Sequence, residues 1–166
     1  MLKINQKAPQ FSLKCSDGST VKLKDFADKW VVLYFYPKDN TSGCTKEAID
    51  FSELLPQFKK LNAVVIGVSP DSSESHIKFI NKQNLSIVLL SDPDKKTMKK
   101  YGAWGMKKNY GREYEGVIRS TFLISPEGKI EEIWNNVKVR VKRKDGEVKH
   151  AEIILDKIKL IGQLPD

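Results

Sequence analysis

The sequence predicts a three-layer α/β fold in which helices cover a central mixed sheet. Two continuous apolar runs, residues 30–36 and 63–69, show no polar alternation and so suit strands covered on both faces. Between them, Ala48, Phe51, Leu55 and Phe58 recur every three or four residues, the buried stripe of a helix. Alternating segments toward both ends of the chain supply antiparallel hairpins.

From the start of the chain, residues 11–24 read as an N-terminal hairpin, with Phe11 to Lys14 and Val21 to Lys24 alternating around an Asp17-Gly18 turn. The strand over 30–36 stops at Pro37, which has no N–H to give to a ladder. A helix from Gly43 to about Leu61 follows; Pro56 lies inside it and is expected to kink or split it near Leu55. After the strand over 63–69, Asp71-Ser72-Ser73-Glu74 looks like a capping box opening a helix to about Asn84. Residues 87–90 form a short strand, and 92–101 a short helix entered at Pro93. Residues 102–117, rich in glycine, charge and aromatic side chains, read as a long loop in which Trp104 could border a pocket. Residues 120–125 and 129–134 make a second hairpin across Pro126-Glu127-Gly128. Val137, Val139 and Val141 then alternate with basic residues before an Asp145-Gly146 turn. Ala151, Ile154, Ile158 and Ile161 mark an amphipathic C-terminal helix. No repeat, low-complexity segment or linker divides the chain, so residues 1–166 are expected to form one domain.

Composition narrows the function classes. A chain of 166 residues can bury a sizeable core, and 40% apolar with 30% charged residues is ordinary for a soluble protein. The net charge of +8 comes largely from lysines and reads as a solvated face; the interleaved arginines and aromatics of a nucleic-acid surface are missing. Residues 1–7 lack the apolar core of a signal peptide, and no stretch approaches a membrane span. Two cysteines make no disulfide framework, so the expected setting is a reducing cytoplasm. No metal-ligand spacing is present. His76 and His150 read as surface or packing residues rather than bases.

The chemistry concentrates between Tyr34 and Ala48. Cys44 falls where the first central strand has ended and a helix begins. The thiolate is the nucleophilic form of cysteine, and unpaired amides and the helix dipole at a helix start favour an anion. Thr41, three residues earlier, offers a hydroxyl that both donates and accepts. Pro37 can wall the thiol from water without competing for hydrogen bonds. From these residues alone, Cys44 is either a reactive thiol or a buried structural cysteine on a strand-to-helix turn, and Arg119 is one of 29 basic residues.

The order of elements resembles an elaborated thioredoxin fold. The site segment is similar to the signature of the peroxiredoxins, Pro-x-x-x-Thr-x-x-Cys, which Pro37, Thr41 and Cys44 fill. The fuller run, Tyr36-Pro37-Lys38-Asp39 through Thr41-Ser42-Gly43-Cys44-Thr45-Lys46-Glu47-Ala48, resembles the bacterioferritin-comigratory-protein (peroxiredoxin Q) branch. Ala8-Pro9-x-Phe11-x-Leu13, Ser91-Asp92-Pro93 and Arg119-Ser120-Thr121-Phe122-Leu123-Ile124 extend the resemblance over nearly the whole chain. It implies a thiol peroxidase acting on hydrogen peroxide and alkyl hydroperoxides, as a monomer and without metal, haem or flavin. Cys44 would be the peroxidatic thiolate, Thr41 the hydroxyl that orients the peroxide and Pro37 the shield. Arg119 would set a guanidinium beside the thiolate, with Glu47 orienting it and Gly43 as a further supporting position. The product at Cys44 would be a sulfenic acid, which a second thiol must reduce before it climbs to sulfinic acid.

Two departures bear on that second thiol. Ser42 stands where this branch usually has proline, and Ile49 where many members carry the resolving cysteine; no cysteine follows Cys44. Cys15 is the internal candidate, but a disulfide needs Cα atoms within about 7 Å, and nothing in the sequence brings the first hairpin to the site. The expectation is a one-cysteine cycle re-reduced by thioredoxin or a low-molecular-weight thiol. A thioredoxin-like disulfide oxidoreductase would need Cys-x-x-Cys, whereas Thr41 and Glu47 flank Cys44 at that spacing. A binding or chaperone module would use Lys138, Arg140, Lys142, Arg143 and Lys144, whose alternation with valines is more simply a half-solvated hairpin.

Overall fold

The structure, a computed structural model, describes residues 2–162. In chain order its strands are β1 (Ser12–Cys15), β2 (Thr20–Lys22), β3 (Trp30–Phe35), β4 (Ala63–Ser69), β5 (Val88–Ser91) and β6 (Trp104–Asn109). They continue with β7 (Arg112–Val117), β8 (Ser120–Ile124), β9 (Ile130–Trp134), β10 (Arg140–Arg143) and β11 (Gly146–Lys149). The helices are α1 (Ser42–Lys60), α2 (Ser73–Gln83), α3 (Lys96–Tyr101) and α4 (His150–Gly162). A seven-stranded sheet runs in the order β2-β1-β5-β4-β3-β8-β9, with β3, β4 and β5 parallel and both flanks antiparallel. It is the central mixed sheet of a thioredoxin-like fold, with the N-terminal hairpin at one edge.

Alternation along β3 explains its apolar run. Val32 and Tyr34 enter a cluster under α1 and α4 that includes Cys44, Phe51, Phe58 and Ile154. Val31, Leu33 and Phe35 point the other way, toward Met98 and Tyr101 of α3 and Phe11 of the N-terminal segment. Both faces are covered, so polar residues would lose water without gaining partners.

The expected break at Pro56 does not occur: α1 is one helix of 19 residues. Proline removes the N–H that would have bonded the carbonyl four residues back, that of Ser52. Ser86, just before β5, supplies the missing partner: its hydroxyl donates to the Ser52 carbonyl at 3.4 Å, and its N–H donates to Ser52 Oγ at 3.1 Å. The capping box is also displaced. Ser72, not Asp71, caps α2 by accepting from the Ser75 N–H at 3.1 Å, while Asp71 turns aside to other partners.

Residues 102–117 are not a loop. β6 and β7 pair over their full length as a two-stranded ribbon outside the main sheet. Tyr110 and Gly111 close it with φ of 52° and 76°, and positive φ at both central residues is the mark of a type I′ hairpin turn. Trp104 packs against the cluster on the α3 face with Lys95 Nζ 5.5 Å from its ring centroid, on the side of the sheet away from Cys44. The β10–β11 hairpin forms as read and is clasped to α1: Arg140 donates from Nε and Nη2 to the buried Asp50 carboxylate at 3.0 and 2.6 Å.

Candidate active site

β3 leads directly into the site. Tyr36 N–H still bonds the Val68 carbonyl at 3.0 Å, and half-buried Pro37 then ends the ladder. Thr41 is the N-cap of α1 with extended backbone, φ −84° and ψ 157°. Its hydroxyl makes no capping bond and instead donates to the Lys38 carbonyl at 2.8 Å. The first-turn amides therefore receive no acceptor from the cap side chain, and they face the loop as donors.

Cys44 is the third residue of α1 and is 1% exposed. Register brings its partner from the far end of the chain: Phe35 of β3 lies opposite Ser120 of β8, so Arg119 arrives beside the end of β3. Arg119 Nη2 donates to Cys44 Sγ at 3.0 Å, and Nη1 donates to Glu47 Oε1 at 2.6 Å. The guanidinium lies against Gly43, where a Cβ would stand 3.4 Å from Nη2. Cys44, Arg119, Glu47 and Gly43 are thus one contact unit, with exposed Thr41 and Ser42 at its solvent side.

Charge in this unit is set by burial. Burial pushes the Glu47 carboxyl up to about 7, against the pull of Arg119. Burial works against the Arg119 charge too, but Glu47 and the Cys44 sulfur outweigh it and hold the guanidinium above its ordinary value. Among the described residues Glu47 Oε2 is buried with no hydrogen-bond partner, as is the Tyr34 hydroxyl in the layer below. Burial, followed by the charges of Glu47 and Cys44, raises Tyr34 well above the usual phenol range. The arrangement is a thiol with a permanent cation in hydrogen-bond contact, backed by a carboxylate that holds the cation in place.

Cys15 lies elsewhere. It sits opposite Leu90, which is opposite Val68, which is opposite Phe35, so three strand spacings of about 4.8 Å separate it from the end of β3. Its side chain packs against the cluster on the α3 face, whereas Cys44 belongs to the cluster beneath α1. Ile49 is half-buried against that same α1 cluster.

Neither histidine is a surface residue. His150 opens α4, with Nε2 2.8 Å from Thr121 Oγ1 and its ring edge-on to Phe51 and Trp134. Burial, aided by the Arg119 charge, depresses it to about 4. His76 is fully buried and bonded to Asp39, in the middle of the loop before Thr41. Sequence reasoning read His76 as a surface or packing residue and gave Asp39 no role of its own, because a hydrogen bond between α2 and the loop before Thr41 leaves no periodic trace. Among the described residues no cluster of His, Cys, Asp and Glu could hold a metal ion, and no helix is long and apolar enough to cross a membrane.

A buried thiol at a helix start, bonded to an arginine beside a thioredoxin-like sheet, defines the class of thiol-based redox proteins. The AhpC/TSA family pattern matches residues 4–133. The chain is 55% identical over 139 residues to a putative peroxiredoxin Bcp of Helicobacter pylori, covering 84% of this chain and 91% of that protein. A cysteine-to-serine variant of Xylella fastidiosa PrxQ superposes with a TM-score of 0.88 at 38% identity, over 98% of this chain and 99% of its own. Bacterioferritin comigratory protein of Xanthomonas campestris, whose structure was described for its alkyl peroxide reduction, gives 0.82 at 40% identity over 92% of each chain. The protein belongs to the AhpC/TSA family and is a peroxiredoxin of the Bcp/PrxQ branch.

Proposed function

We propose that the protein reduces hydrogen peroxide and alkyl hydroperoxides to water and alcohols through Cys44. The observation that carries this is the 3.0 Å hydrogen bond from Arg119 Nη2 to Cys44 Sγ. The Cys44 thiolate attacks the terminal peroxide oxygen: an S–O bond forms, the O–O bond breaks, and two electrons pass from sulfur to the peroxide. The departing hydroxide or alkoxide takes up a proton and leaves as water or alcohol, and Cys44 becomes a sulfenic acid. Arg119 stabilises negative charge first on sulfur and then on the departing oxygen. Thr41 orients the hydroperoxide, with its oxygen lone pairs left free by the bond to Lys38. Glu47 keeps Arg119 in place, Gly43 leaves room for the guanidinium, and Pro37 shields the thiol from water.

The reducing half comes from outside the chain. An external thiol condenses with the sulfenic acid to give a mixed disulfide and water, and a second thiol then releases Cys44 by exchange. Cys15 on the opposite face and Ile49 beside the site support this one-cysteine cycle. Thioredoxin or a low-molecular-weight thiol is the reductant, and the enzyme acts as a monomer in the cytoplasm.

Stopped-flow oxidation of Cys44 by hydrogen peroxide tests the first half. Arg119→Ala should slow it by about 10²–10³-fold, the usual loss on removing one charge-stabilising donor. Wild-type oxidation no faster than that of free cysteine would remove the peroxidase reading. For the second half, Cys15→Ser should retain full thioredoxin-coupled turnover; lost turnover with intact peroxide reactivity would make Cys15 the resolving residue.

A further inference from the structure

Asp39 lies midway between Pro37 and Thr41 and is 6% exposed. Its carboxylate is ringed by donors: Oδ1 accepts from the Tyr36 hydroxyl at 2.7 Å, and Oδ2 from Ser75 Oγ at 2.8 Å. His76 Nδ1 stands 2.8 Å from the same Oδ2. The other ring nitrogen, Nε2, stands 3.0 Å from the Leu90 carbonyl. The ring is thus held at both edges, Nε2 against the Leu90 carbonyl and Nδ1 against the Asp39 carboxyl, with the Tyr36 hydroxyl 3.5 Å from Nδ1. Burial disfavours the Asp39 charge, but the bonds from His76, Tyr36 and Ser75 outweigh it and hold the carboxyl below its ordinary value. The main chain is tied as well: Asp39 N–H donates to Asp71 Oδ2 at 2.8 Å, and Asp71 is itself fixed by the Ser69 hydroxyl at 2.7 Å.

One residue of the loop thus gathers bonds from the end of β3, the turn after β4, and α2, and through His76 it reaches β5. A buried polar or ionic contact is a weak source of stability, because desolvation offsets most of the attraction. What this pair does well is place the loop. We propose that Asp39 and His76 are positioning residues for the peroxide reaction, a buried pair that fastens the loop so that the Thr41 hydroxyl meets the peroxide at Cys44. The inference rests on the peroxidase reading and adds to it two residues that touch neither sulfur nor substrate.

The test compares His76→Asn with His76→Gln in a Cys15→Ser background, where Cys44 is the one thiol. Asparagine offers an N–H near the Nδ1 position, toward Asp39; glutamine offers one near the Nε2 position, toward Leu90. Two rates are read for each protein: oxidation of Cys44 by hydrogen peroxide, which needs the substrate oriented, and alkylation by iodoacetamide, which does not. His76→Gln should lose about 10-fold or more in oxidation while alkylation stays within about 2-fold, since a misplacement of about 1 Å can cost up to 100-fold. His76→Asn should recover most of the oxidation rate. Unchanged oxidation in His76→Gln, a parallel fall of both rates, or equal loss in the two variants would overturn the proposal. If circular dichroism shows the His76 variants unfolded, Asp39→Asn decides by the same pair of rates: selective loss of oxidation upholds it, and unchanged or parallel rates overturn it. Failure of the peroxidase reading shows separately, as slow oxidation in the parent protein itself.

Discussion

Glu47 illustrates how much one residue carries at this site. It is 1% exposed, one carboxyl oxygen grips Arg119, and the other has no partner among the described residues. With its folded value at about 7 and the ordinary value at 4.5, folded Glu47 keeps a proton that the unfolded chain releases across that window. The stability it lends is fully present below the ordinary value and lost as pH rises through about 7. Glu47→Gln abolishes this titration, so its melting temperature should gain on wild type between pH 5 and 8; a constant difference across that range would refute the assignment. Arg119→Lys should fall nearly as far as Arg119→Ala in peroxide oxidation. An ammonium is a single point charge and cannot span the sulfur and the carboxylate as a planar fork does.

At the scale of elements, helix α1 is seated by contacts on both of its sides. Gly67 of β4 lets the Tyr34 ring lie across the strand: a Cβ there would stand 2.7 Å from Tyr34 Cζ, and Tyr34 in turn stacks on Phe51 of α1 at 4.8 Å. Gly67→Ala should cost about 1–3 kcal/mol by overpacking, read as a lower urea midpoint. On the outer side, Arg140→Ala strips Asp50, itself 1% exposed, of its bidentate partner. Removing one member of a buried pair costs about 3–5 kcal/mol. Lys149 Nζ, 3.9 Å from Asp50 Oδ1, and the 26% exposure of the Arg140 side chain reduce that here. A midpoint unchanged by Arg140→Ala would show that the hairpin contributes nothing to holding α1.

For the whole molecule, His150 governs part of the acid response. Its folded value of about 4 lies below the ordinary 6.5, so the protein loses stability as pH falls through that interval. The loss reaches about 3 kcal/mol at about 1.4 kcal/mol per pH unit. His150→Gln is expected to be less stable at pH 7, with the gap to wild type narrowing toward pH 4; calorimetry at both values checks it. Glu47 slopes the opposite way over part of the same range, so each variant must be compared with wild type at matched pH.

Local signals made much of this protein readable from its sequence. Covered strands at 30–36 and 63–69, the apolar stripe of α1, and a cysteine at that helix start preceded by Thr41 and Pro37 are all written in runs of neighbouring residues. Where a distant segment intervened, the local signal misled: Ser86 satisfies the carbonyl that Pro56 frees, and the β6–β7 ribbon meets the core at Trp104 and Val117 while much of its length is exposed, so no regular apolar alternation announces it. The sequence by itself determined which thiol is placed at a helix start and that no second one follows it. Only the tertiary structure decided that Arg119 reaches that thiol and that His76 anchors its loop. Those contacts depend on strand register and on how buried charges find partners, and both are settled by the packing of segments far apart in the chain.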